Sequence, residues 1–456
     1  MSVDAVLAEV DRTIDQSVQR LFALLRIESI STDPAYKEAC RAAADWLVAD
    51  LAEMGFEAAR HDTPGHPMVV GQTSGGGRIL FYGHYDVQPV DPLELWHRGP
   101  FDPVIEDTPQ GKVIRARGAS DDKGQLMTFV EACRAWKAAK GALPAGLTIL
   151  FEGEEESGSP SLVPFLEAQK DTLRAEIALV CDTGMLDART PAITTMLRGM
   201  AQEDFTIRGP DRDLHSGMYG GPAINPIRVL TRVLGTLHDE AGRVTLPGFY
   251  DGVPELPDAV RTEWQGLGVD PAAFLGDVGL STLAGEAGYS LLEQTWARPT
   301  AEINGISGGY TGKGFKTVLP AEASAKVSFR LVGDQDPVKI QAAFRAHIEA
   351  GLPPDCTVEF RGNEGARATT MPIDAAPFAK ARDALTAEWE TPAVFVGSGG
   401  SIPIVGHFAS ILGMDSVLIG FGLEDDNIHS PNEKYSLTSF HKGIRSWVRV
   451  LDALDG

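Results

Sequence analysis

Four short apolar runs constrain this chain most: residues 79–82, 147–151, 177–181 and 417–419. They are too brief for helices and do not alternate in polarity. That pattern suits strands buried on both faces, as in a parallel sheet covered by helices. Residues 125–140 supply a crossover helix between the first two. Upstream, Val6, Val10, Ile14, Val18, Leu21 and Leu25 recur at three- and four-residue steps and predict one buried helical stripe. A second stripe follows at Cys40, Ala44, Leu47, Leu51 and Met54, with Gly55 as its stop.

The middle of the chain has another texture. Ala323, Ala325, Val327, Phe329 and Leu331 alternate with Ser324, Lys326, Ser328 and Arg330, the period of a half-exposed antiparallel strand. A strand at 204–208, a helix through Ile227, Leu230, Leu234 and Leu237, a second helix through Ile340, Phe344 and Ile348, and a strand at 357–361 complete a β-α-β-α-β pattern. The expected organisation is an α/β domain of residues 1–193 plus 373–456, interrupted by an α+β domain at 194–372. The Pro- and Gly-rich stretch 242–300 fits neither pattern and reads as an elaboration of the insert.

Forty basic against sixty-three acidic residues leave a net charge of −23. Such a surface repels phosphate backbones and anionic lipid, so neither nucleic acid nor a membrane is an expected partner. The acidic, amphipathic N-terminus lacks the features of a signal peptide, which predicts a cytoplasmic enzyme. Cys40, Cys133, Cys181 and Cys356 form no CxxC pair and are expected to be reduced and buried.

The chemistry lies where the apolar runs stop. His84 follows the first, Glu155 and Glu156 the second, Asp182 the third, and His429 lies just beyond the last; Asp121 sits in a turn before the crossover helix. In parallel α/β sheets, function gathers beyond the carboxyl ends of the strands. Two imidazoles and three carboxylates, one of them shared, suit a pair of borderline-hard divalent ions, with Zn²⁺, Mn²⁺ and Co²⁺ all acceptable. Ions sharing a carboxylate would lie roughly 3.5–4 Å apart, close enough to share a hydroxide. Asp86, two residues from His84, is placed to accept its other ring N–H. A water-activating base must sit near the metals without binding them, and burial among carboxylates would raise its pKa. The pattern alone does not say which glutamate is base and which is ligand.

The motifs GHYDVQP, RGASDDKG, EGEEESGS, DLHSGMYGG, GGSIP and NIHSPNE, in this order from His84 to Glu433, resemble one known group. This is the carnosinase-like dipeptidase branch of a co-catalytic zinc metallopeptidase family that includes acetylornithine deacetylase, succinyl-diaminopimelate desuccinylase and glutamate carboxypeptidase. The resemblance implies that Asp121 bridges the metals, that His84 and Asp182 hold one ion, and that Glu156 and His429 hold the other. It makes Glu155 the general base, has Asp86 orient His84, and implies a cis peptide between Asp121 and Asp122. It identifies the insert as a ferredoxin-like lid and dimerisation domain. From there His215 reaches the neighbouring subunit's active site to stabilise an oxyanion, and the protein would be a homodimer. Arg330 matches an arginine that binds the substrate's C-terminal carboxylate, a task suited to a bidentate donor. Thr317 and Ser401 match further substrate contacts. Before Ser401 the chain reads VGSGG, where the carnosinase-like proteins are expected to carry an Arg-Glu pair; the departure bears on the substrate-end pocket.

Other catalytic patterns fail: there is no HExxH helix, and Gly312-Lys313 lacks the flanking residues of a phosphate loop. The expected function is a metal-dependent dipeptidase acting on small peptides with a free C-terminal carboxylate. The alternatives are an N-acyl-amino-acid amidohydrolase on the same scaffold and a non-catalytic metal- or peptide-binding relative.

Overall fold

The four apolar runs become neighbouring strands. In the computed structural model, which describes residues 2–276, 278–362, 365–400 and 402–455, they lie side by side in the order Leu147–Glu152, Ile79–His84, Ile177–Val180, Ser416–Leu418. All three pairings between them are parallel. Met68–Gln72 extends the sheet antiparallel beyond Leu147–Glu152, and Glu57–His61 pairs outside that. Aromatic packing shows why the strands needed no polar face. Phe81 stacks on Phe129 at 3.7 Å and meets Trp447 edge-on at 5.5 Å, while Tyr82 meets Phe408 edge-on at 5.8 Å. Neighbouring residues therefore point to opposite faces and both are buried.

The helices follow their stripes. Val3–Leu25 buries Val6, Val10, Val18, Leu21 and Leu25, and Lys37–Met54 buries Cys40, Ala44, Leu47, Leu51 and Met54. Gly55 ends the second at φ 96°, a left-handed position where a side chain is disfavoured. The crossover helix is Lys123–Lys140, and Leu437–Asp455 packs against it, with Trp447 fully buried and its Nε1 donating to Thr128 Oγ1 at 2.9 Å.

The chain divides into two compact units: Met1–Thr195 with Met371–Val396 and Ile404–Gly456, and Met196–Thr370 with Gly397–Pro403. The second unit holds a four-stranded antiparallel sheet in the order Thr300–Gly308, Glu322–Leu331, Gly199–Arg208, Thr357–Gly362. Helices Pro226–Leu234 and Pro337–Ala350 pack on one face of it. Both begin with proline and are capped by side-chain oxygens, Asn225 on Ile227 N and Asp336 on Val338 N. Leu237 falls beyond the end of the first helix yet is fully buried.

The chain order is thus β-α-β-β-α-β, one strand more than the sequence pattern contained. The missed strand, Thr300–Gly308, lies at the sheet edge, buries only Ala301, and shifts register between Ile303 and Gly305. An exposed, bulged edge strand has no apolar alternation to read. Within 242–300 the structure has short helices at Asp258–Gly266 and Pro271–Gly276. Among the described residues, no helix is long and apolar enough to cross a membrane.

Candidate metal centre and catalytic site

Each donor in the first unit is positioned by a strand end or a stiff turn. His84 is the last residue of its strand and fully buried; its backbone N–H donates to Asp122 Oδ2 at 3.0 Å. Asp121 lies between the rings of two histidines. His84 Nε2 is 3.1 Å from its Oδ1, and His429 Nε2 is 2.9 Å from its Oδ2. One carboxylate thus presents a separate oxygen to each imidazole. Glu156 Oε2 is 3.3 Å from His429 Nε2, and Asp182 follows the Ile177–Val180 strand. Two groups result, His84–Asp121–Asp182 and Asp121–Glu156–His429, with the donor atoms of each within 4.8 Å of one another. Glu155 contributes no atom to either.

Hydrogen bonds hold this arrangement. Asp86, fully buried, accepts from the backbone N–H groups of Glu155 at 3.2 Å and Glu156 at 3.0 Å. Its Oδ1 lies 3.4 Å from His84 Nδ1, and its backbone carbonyl is closer, at 3.2 Å. The residue therefore borders the ring, and its carboxylate also accepts from the glutamate turn. Gln88 Nε2 donates to Glu156 Oε2 at 2.6 Å. The Asp121–Asp122 peptide is cis. His429 has φ 62°, a conformation that costs a non-glycine residue about 1 kcal/mol and that brings its half-exposed ring onto Asp121.

Glu433 closes the NIHSPNE motif, where its residue type alone assigns it no role. It is fully buried: Oε1 accepts from Ser120 N at 2.9 Å and Asp121 N at 3.0 Å, and Oε2 accepts from Gly118 N at 2.9 Å and Arg117 Nη1 at 2.8 Å. It is the keystone of the turn that carries Asp121. Asp122, which fixes the His84 backbone, likewise lies within the RGASDDKG motif. Both were legible as positions, but not as supports, because the supporting contacts join segments up to 316 residues apart. Glu433→Gln would set an amide N–H₂ against this row of donors. The expected result is a roughly ten- to hundredfold loss of metal affinity, read as metal retained against a chelator; wild-type retention would remove Glu433 from the site's support.

The electrostatics show how well the donor set fits a divalent cation. Burial, then Asp182, Asp86 and Asp121, push Glu155 up to about 7 against the opposing pull of His84. Burial and Asp121 push Asp182 up to about 7 as well. Contacts with Asp121 and Glu156 lift His429 to about 10 despite burial. Without cations, then, this crowd of carboxylates draws protons onto itself and onto its histidines. Divalent ions relieve the same repulsion, and imidazole with carboxylate oxygens is a donor chemistry they accept.

The remaining sequence-predicted residues lie in the second unit. His215 closes the short strand Leu214–His215, paired with Val318. Gly217 N–H donates to His215 Nδ1 at 2.9 Å, so the neutral ring carries its proton on Nε2, at an exposed position. Thr317 is beside it, its carbonyl accepting from Ser216 N at 3.0 Å. Arg330 is half-buried on the strand Glu322–Leu331. Ser401 lies outside the described residues.

Carboxylates and imidazoles gathered at the carboxyl ends of a helix-covered parallel sheet define a metallohydrolase of the α/β class. The chain belongs to peptidase family M20/M25/M40, which it matches over residues 80–453. It is 29% identical over 463 residues to the Cys-Gly metallodipeptidase dug1 of Schizosaccharomyces pombe, covering 98% of this chain and 97% of that protein. Human carnosine dipeptidase 1 superposes with a TM-score of 0.84 at 26% identity, covering 100% of this chain and 99% of the other. The M20 family metallo-carboxypeptidase Sso-CP2 from Sulfolobus solfataricus does so with a TM-score of 0.84 at 29% identity, covering 96% and 99%. The resemblance read from the motifs is borne out, and so is the α/β class of the fold.

Proposed function

We propose that this protein is a metal-dependent dipeptidase that cleaves small peptides with a free C-terminal carboxylate. The observation that carries the reading is the shared carboxylate of Asp121, set between two histidine-containing donor groups, with Glu155 half-buried beside them and outside both. Relatives named as metallodipeptidases over nearly the whole chain favour a peptide over an N-acyl amino acid. Two ions per subunit, Zn²⁺ first among candidates, match the two groups. When bound, they would polarise the scissile carbonyl and acidify the attacking water.

The chain's own residues do the rest. Glu155, outside the donor groups, accepts a proton from the attacking water and returns it to the departing amine. Asp86 keeps the turn of Glu155 and Glu156 in register with His84. His215, with its proton on Nε2, donates to the carbonyl oxygen as that oxygen gains charge. It does so from a neighbouring subunit, the second unit serving as lid and dimerisation domain. Arg330 receives the C-terminal carboxylate, with Thr317 and Ser401 as further contacts. Four free, buried cysteines suit a reducing cytoplasm.

The test is a hydrolysis screen of metal-reconstituted protein on dipeptides, their C-terminal amides and N-acyl amino acids. Dipeptides should be cleaved, and their amides should lose roughly ten- to hundredfold in kcat/KM, the worth of a charge-assisted contact. N-acyl amino acids outrunning every dipeptide would replace this reading with the amidohydrolase.

A further inference from the structure

The open face of the second unit's sheet carries a pair of guanidiniums with little to neutralise them. Its other face is filled by Ala201, Phe205, Ala325, Val327 and Phe329. Arg330 stands on the open face, opposite Met200 in the antiparallel register. Arg198 immediately precedes this strand, next to Gly199, which pairs with Leu331; that places it near Arg330, and the charge of each acts on the other.

Arg198 is fixed in place. Its backbone N–H donates to Gly400 O at 3.1 Å and its Nε to Gly399 O at 3.0 Å, which pins the guanidinium to the glycine loop. That loop belongs to the same unit. Both arginines are half-buried, and among the described residues neither is in an ion pair. Glu302, on the adjoining strand opposite Ser328, opposes the mutual repulsion at Arg198 and, among the described residues, forms no salt bridge with either. Burial and the Arg330 charge push Arg198 down to about 10, below the usual guanidinium range. Two cations held together in partly desolvated space repel each other unless an anion joins them. Guanidinium forks match carboxylates in particular.

We infer that Arg198 and Arg330 form a site for two carboxylates, which makes this enzyme selective for peptides ending in Asp or Glu. The inference rests on the peptidase reading above: Arg330 takes the α-carboxylate and Arg198 the side-chain carboxylate. Arg198 is then a specificity-determining residue, with the glycine loop as its brace.

The experiment compares kcat/KM of the metal-loaded enzyme for Ala-Asp against Ala-Asn and for Ala-Glu against Ala-Gln. These pairs differ in charge but hardly in shape. The wild type should favour the acid by at least roughly tenfold, and the ratio should shrink as ionic strength rises. In Arg198→Gln the ratio should fall towards one; Arg198→Lys, which keeps the charge but not the fork, should retain part of it. A wild-type ratio near one overturns the inference. So does an Arg198→Gln enzyme in which acid and amide slow equally, the signature of loop support alone. Should Arg198→Gln fail to fold, an unchanged ratio in Arg198→Lys overturns it as well. Failure to cleave any dipeptide would instead strike the peptidase reading itself.

Discussion

Glu155→Gln should bind metal as the wild type does and lose roughly a hundred- to ten-thousandfold in kcat, the usual worth of a positioned proton acceptor. The two halves of that result come from different contacts. Glu155 gives no atom to either donor group, so an amide there removes no ligand. The turn holding it is anchored through its backbone N–H on Asp86, and that bond survives the substitution. Glu156→Gln should behave in the opposite way, because its carboxylate faces His429. Metal content by elemental analysis, beside kcat on a cleaved dipeptide, separates the two. Near-normal turnover in Glu155→Gln would end its assignment as base.

His215→Ala should cost roughly a hundred- to a thousandfold in kcat with metal content intact, the range seen when one oxyanion donor is removed. The more telling measurement mixes two dead enzymes. If His215 serves the neighbouring subunit, a dimer of one His215→Ala chain and one Glu155→Gln chain holds one complete site. Random reassociation of equal amounts would then restore about a quarter of wild-type activity, since half the dimers are mixed and each has one working site of two. An enzyme that uses its own His215 would recover nothing. The tautomer supports donation in either case, because Gly217 N–H occupies Nδ1.

The sequence carried much of this. Short unalternating runs announced buried parallel strands, and the residues after them announced a site, because strand ends and helix-covered sheets leave few other places for charge. Thr300–Gly308 stayed hidden, since an edge strand with one buried side chain obeys no period. At the site, residue types were legible from strand placement alone, but their division of labour came only with the motif resemblance. Glu155 and Glu156 are adjacent and chemically identical, and what sets Glu156 apart in the structure is its distance to His429, a tertiary property. The supports were harder still. Glu433 holds Asp121 across some three hundred residues, and Arg198 gains meaning only when the pairing of its neighbour Gly199 with Leu331 brings it near Arg330.

The two backbone bonds on Asp86 have a consequence for how such a site can change over time. One carboxylate holds the turn of Glu155 and Glu156 while its residue borders the His84 ring. The proposed proton acceptor and donors from both groups therefore share a single hinge pin. Adjusting the ion preference by shifting His84 drags the acceptor along, and retuning the acceptor disturbs Glu156. Chemistry at the centre is thus hard to alter piecemeal. The surfaces that face the substrate, far from that pin in sequence, are where this scaffold is free to diversify.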